Sequence, residues 1–144
     1  MTAPPERTSG AEATERAGAA LAAELAPGDL ILVSGELGAG KTTLVRGALR
    51  ALGVTEPITS PTFVIGHLYE RDGAGPLAHL DLYRLADAGA EDPGLLDPYF
   101  GPDVITFVEW PELGGGLDAL SGRAVVRRVT LAHAGGDERT LRIA

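Results

Sequence analysis

The stretch Gly35-Glu36-Leu37-Gly38-Ala39-Gly40-Lys41-Thr42 constrains this chain more than any other. It satisfies the spacing G-x-x-x-x-G-K-[ST], in which a glycine-rich turn joins a strand to a helix and closes its backbone N–H groups around a phosphate chain. Wrapping that close needs backbone without Cβ atoms and with some positive φ, so glycine recurs. The free N–H groups and the dipole of the following helix also favour an anion. Lys41 adds a compact positive charge for β- and γ-phosphates, and Thr42 a hydroxyl for Mg²⁺. Gly35, Gly38, Ala39, Gly40, Lys41, Thr42 and the adjoining Thr43 are therefore the expected nucleotide-binding residues.

The flanks agree with that assignment. "LILV" (30–33) is a short apolar run bounded by turn residues, consistent with a buried strand. Residues 41–52 carry Leu44, Ala48 and Leu52 at helical spacing, with Gly53 placed as the C-cap. An ordinary glycine-rich β–α turn is the bland alternative, but it does not account for the lysine. Lys41 is the one lysine of the chain; Arg supplies every other side chain of the 12 Lys and Arg, and Asn and Gln are absent. In a composition this rich in Ala, Gly and Arg, a lysine survives where arginine would not serve. The missing Asn also excludes the N-K-x-D element of guanine readers, which favours ATP. Without Gln, the glutamine that orients the attacking water in some GTPases has no counterpart, so slow hydrolysis by the isolated chain is expected.

With 144 residues the chain is one domain by length. Residues 1–8, with Pro4 and Pro5, read as a flexible tail, and 9–144 as a single domain. Ser9 and Glu12 have capping-box spacing ahead of an alanine-rich helix over about 11–25. Further strands are expected in 58–70 after an initial loop, 77–85, 104–110, 124–132 and 139–144. "DGAGP" (72–76) and "AGGD" mark two antiparallel hairpins. Residues 86–102 and 113–117 read as loop. Strands alternating with helices, plus hairpins, specify an α/β fold: a phosphate-loop NTPase-like sandwich with a mixed central sheet flanked by helices.

Composition narrows the partners. The formal net charge is −8, whereas a free-standing nucleic-acid binder is usually basic. The basic strip "RAVVRR" (123–128) reads as a solvated strand face. There is no Cys, hence no disulfide framework and no thiolate metal site. No apolar run reaches the ~20 residues of a membrane span, and the N-terminus lacks a signal core, so a soluble cytoplasmic protein is expected. Neither DNA nor a membrane is an expected partner.

Mg²⁺ on a nucleotide takes oxygen ligands, and in open α/β sheets these lie at the C-terminal ends of strands. Asp81 follows "LAHL" and Glu109 ends "VITFV". Either could hold the metal or orient the attacking water; a merely solvated carboxylate is the plain alternative. "TSPTF" (59–63) follows the first loop helix, where a segment sensing the γ-phosphate often sits; a plain turn would also fit. Trp110 is a core or rim aromatic, or a partner contact. His67, His79 and His133 share no metal-ligand spacing and receive no role. Arg84 could simply pair with the Asp of "HLDLYRL".

In order and spacing, "SGELGAGKTTLVRGALRALG", "SPTF", "HLDLYRL" and "VEWPE" resemble the TsaE (YjeE) family across about 28–113. The resemblance implies a small Mg²⁺-dependent ATPase acting with TsaB and TsaD in forming threonylcarbamoyladenosine, in tRNAs that read codons beginning with A. It implies that TsaD carries the transfer chemistry, and that tRNA is engaged only through the complex, which suits an acidic chain. Residue by residue, it implies phosphate binding by Lys41 and the loop, and metal binding by Thr42 and Glu109. Asp81 would be a second acid needed for hydrolysis, Thr62 part of a switch-like loop, and Trp110 sensitive to substitution. Ser9 and Gly10 would lie near the adenine, and Arg139 would approach the nucleotide. The segment "EDPGLLDP" (91–98) is richer in Pro and Gly than the family's short helix. Two other readings use the same loop: a small-molecule kinase, for which 144 residues leave little room for an acceptor pocket and lid, and a nucleotide-gated binding module without useful hydrolysis.

Overall fold

The computed structural model describes residues 6–36, 38–58, 66–71, 73–82, 97–110 and 127–144. Among them, seven strands form one mixed sheet in the order β1-β7-β6-β2-β5-β4-β3. The strands are β1 (Glu6–Ser9), β2 (Leu30–Gly35), β3 (Gly66–Arg71), β4 (Ala74–Asp81), β5 (Ile105–Glu109), β6 (Arg127–His133) and β7 (Glu138–Ile143). β2 pairs in parallel with β5 and β6, and β5 in parallel with β4. The β3–β4, β6–β7 and β1–β7 pairs are antiparallel.

β2 is central because its residues 30–33 are apolar without interruption. A strand buried on both faces needs no polar alternation. Ile31 and Val33 belong to the larger core, with Phe107, Leu77, Val129, Leu131 and the helices. Leu30 and Leu32 face the other way, against Leu80, Leu82 and Val108. Each such side chain contributes about 1.5–3 kcal/mol by leaving water. A short 3-10 helix, Asp97–Phe100, lays Tyr99 and Phe100 against this second cluster.

Two helices lie on the first face: α1 (Gly10–Ala22) and α2 (Lys41–Ala51). Their backbones touch. A Cβ added to Gly18 would stand 2.0 Å from the Leu44 carbonyl oxygen, and one on Gly47 would stand 2.0 Å from that of Glu15. No side chain larger than hydrogen fits at either point. This crossing fixes the start of α1 relative to the start of α2, and both starts border the glycine loop.

Several expectations shift. Residues 6–8, read as tail, are β1: Glu6 to Ser9 pair with Leu141 to Glu138. α1 ends at Ala22, short of 25. Ser9 sits at its N-cap with extended geometry but makes no side-chain capping bond, so the Ser9–Glu12 box is not formed. β4 begins earlier than expected, at Ala74, and ends at Asp81. Arg84, the strip 123–126 and most of "EDPGLLDP" lie outside the described residues.

Candidate functional site

β2 delivers its last residue, Gly35, under β6, where an added Cβ would meet the Leu131 carbonyl oxygen at 2.6 Å. The loop then turns through an Ala39 N–H to Glu36 carbonyl bond of 3.0 Å. Gly40 caps α2 at φ 100°, a left-handed conformation that a side chain would oppose. No side chain caps α2, and its first turn holds no acid.

Lys41 folds back across this turn. Its Nζ donates to the carbonyls of Gly35 and Glu36, at 2.8 Å each. The ammonium also stands 4.1 Å from the centroid of the Trp110 ring, within cation–π reach. Trp110 reaches that position through φ 59°, and its N–H donates to the Val33 carbonyl at 3.2 Å. Trp110 thus packs beside the smaller core cluster and under the lysine at once.

An acid meets the next residue, Thr42. Asp81 and Glu109 are register partners on adjacent parallel strands, so both project on the helix-bearing face. Asp81 is 7% exposed and Glu109 2%. The Thr42 hydroxyl donates to the Glu109 carboxylate, 3.0 Å from Oε1 and 2.9 Å from Oε2. His79, wholly buried, contacts Glu109 Oε2 through Nε2. Sequence reasoning missed His79. The available signal was its place two residues before Asp81, which puts both side chains on one face of the strand.

Beyond Thr42 the loop opens onto a cavity of about 180 Å³ lined by Gly10, Thr14, Gly38, Thr43, Asp137 and Arg139, among others. The Gly10 N–H donates to the Asp137 carbonyl at 2.9 Å. Arg139 reaches the Gly38 carbonyl at 3.3 Å and braces its own turn through Gly136 and Glu138, each at 2.9 Å. The buried hydroxyls of Thr8 and Thr14 bond each other at 2.9 Å. The structure brings Gly10 and Arg139 to the loop, while Ser9 is exposed and does not line the cavity. Thr62 lies outside the described residues. Far from the loop, burial, reinforced by Glu56 and opposed by Arg50, raises the Tyr69 phenol above its ordinary value.

The donor set fits a small hard cation. A hydroxyl and a carboxylate within hydrogen-bond distance of each other supply oxygens only, the preference of Mg²⁺. Among the described residues no group of three or more His, Cys, Asp or Glu is placed to hold a metal. A cation here would need further oxygens, such as phosphate and water, as Mg²⁺ on a nucleotide has.

A strand, a glycine turn with an infolded lysine, a helix N-terminus and a hydroxyl–carboxylate pair at the strand ends define a phosphate-loop α/β protein. The family described as "Threonylcarbamoyl adenosine biosynthesis protein TsaE" matches residues 8–141, and the chain belongs to the TsaE family. It is similar to proteins named "tRNA threonylcarbamoyladenosine biosynthesis protein TsaE". The Synechocystis relative is 50% identical over 69% of this chain and 65% of its own length. The Bacillus subtilis relative is 44% identical over 74% and 66%. The Mycobacterium tuberculosis relative is 38% identical over 85% and 76%. The chain thus spans just under two thirds of the length of the first two, at 65% and 66%. Among solved structures, Bacillus subtilis YdiB superposes with a TM-score of 0.76 at 32% identity, covering 99% of this chain and 86% of that one. That likeness agrees with the mixed sheet and flanking helices expected from the sequence.

Proposed function

We propose that the chain binds ATP with Mg²⁺ on the loop of residues 35–43 and hydrolyses it slowly by itself. We further propose that it acts in the cytoplasm with TsaB and TsaD in forming threonylcarbamoyladenosine in tRNAs that read codons beginning with A. The observation that carries the reading is the Thr42 hydroxyl at 2.9–3.0 Å from the Glu109 carboxylate, beside a lysine folded into a glycine turn. The family and the names of its relatives support the pathway.

In this reading the loop N–H groups and α2's N-terminus take the phosphates. Lys41 leaves its two carbonyls for the β- and γ-phosphates, exchanging neutral acceptors for charged ones, which bind about twice as strongly. Thr42 and Glu109 would hold the Mg²⁺. Bound there, the cation would offset negative charge on the phosphate oxygens. Asp81, beside Glu109 in register, would be a second acid needed for hydrolysis. Thr62 would belong to a switch-like loop, Ser9 and Gly10 would lie near the adenine, and Arg139 would approach the nucleotide. The net charge of −8 suits protein partners, leaving tRNA to the complex. Among the described residues no helix is long and apolar enough to cross a membrane.

Phosphate release tests this directly. The pure chain with ATP and Mg²⁺ should turn over below about one per second, the low end for enzymes. Chelation of Mg²⁺ should stop it, and TsaB with TsaD should stimulate it. Turnover indifferent to chelation, or transfer of phosphate to a small acceptor instead of water, would overturn the reading.

A further inference from the structure

His79 has no task in the scheme above, yet it occupies a costly position. It is 0% exposed in a strand whose neighbours Leu77, Ala78 and Leu80 are equally buried and apolar. Burying an imidazole costs free energy unless both nitrogens are satisfied, and Nδ1 has no partner among the described residues. A leucine there would leave nothing unsatisfied. What the imidazole gains is its contact with Glu109. An ionised carboxylate accepts only, so towards it Nε2 is the donor.

The register shows what that bond does. His79 pairs with Phe107, and Asp81 with Glu109. His79 therefore approaches the carboxylate from inside the sheet, and Thr42 approaches it from the loop. A glutamate side chain at a strand end has three rotatable torsions. The bond to His79 fixes which way its carboxylate faces. We propose that His79 is a positioning residue: by donating Nε2–H to Glu109 it holds the carboxylate in the orientation that, with Thr42, receives the divalent cation of the bound nucleotide. This rests on the reading of Thr42 and Glu109 as cation ligands. Removal of groups that orient a metal ligand typically weakens metal affinity about 10- to 100-fold.

The test measures binding of a fluorescent ADP analogue to the full chain, with Mg²⁺ and with chelator, so that the metal-dependent gain is read apart from the nucleotide's own affinity. His79→Leu should reduce the gain at least about tenfold while the affinity in chelator stays at the wild-type value. His79→Gln, whose amide nitrogen reaches about as far as Nε2, should restore most of it. His79→Asn, whose shorter amide falls near Nδ1, should not. A folded His79→Leu with an undiminished gain, or Gln and Asn variants losing the gain equally, would overturn the proposal. Should the Leu variant fail to fold, the Gln–Asn contrast decides alone. Glu109→Gln separates the two levels. If the wild type shows no metal-dependent gain, or Glu109→Gln keeps it in full, the assignment of the cation ligands fails and this inference falls with it. If Glu109→Gln loses the gain and the His79 variants do not, only the role of His79 fails.

Discussion

On the strand side of the glycine loop, Lys41, His79, Asp81 and Glu109 are all less than a tenth exposed, and Thr42 bonds across to the carboxylate. On the α1 side, Gly10, Gly38, Thr43 and Arg139 surround an open cavity, and the bonds that shape it run mostly through backbone. On the strand side Lys41 is held by two backbone carbonyls and the Trp110 ring, and Glu109 by Thr42 and His79. The α1 side offers shape, glycine surfaces and the Arg139 guanidinium, held by backbone carbonyls. Low dielectric makes each polar bond on the strand side stronger and its loss more costly. Substitutions on the two sides should therefore differ in size and in kind.

The largest effect belongs to Lys41→Ala. With Lys41 taking the phosphates as proposed, removing its charge should cost about 3 kcal/mol of nucleotide affinity, roughly 150-fold, by calorimetry or equilibrium dialysis. Glu109→Ala comes next and should separate binding from chemistry. Nucleotide affinity in chelator should persist while phosphate release falls about 100-fold; unchanged release would remove the metal role of Glu109. Gly47→Ala probes the link between the sides, because its Cβ would meet the Glu15 carbonyl oxygen at 2.0 Å and prise α1 from α2. It should lower the melting temperature by roughly 5–10 °C and weaken nucleotide binding without changing the Mg²⁺-dependent gain. Arg139→Ala, on the open side, should weaken nucleotide binding only about three- to tenfold and leave the metal dependence intact. A change in metal dependence from Arg139→Ala would erase the distinction between the sides.

The strand side was partly legible from sequence because its chemistry is local or periodic. The lysine, the threonine and the glycines are contiguous, and Asp81 and Glu109 end apolar runs. His79 was not legible: its partner lies 30 positions away, and a histidine in an apolar run has no local mark of its bond. Trp110 was read as core, rim or partner contact. Its place under Lys41 depends on φ 59°, which no residue pattern announces. On the open side, β1 escaped because "ERTS" lacks strand alternation and only Thr8 is buried; pairing with β7 imposes the strand. The Ser9–Glu12 spacing predicted a capping box, but Ser9 is committed to that strand pairing.

The union of β1 with β7, and of the Gly10 N–H with Asp137, places residues far apart in sequence in one wall of the cavity. During synthesis that wall cannot form until Glu138–Ile143 has emerged. The glycine turn and its lysine are made almost a hundred residues earlier. A nascent chain thus carries the glycine turn well before the strand that completes this wall exists.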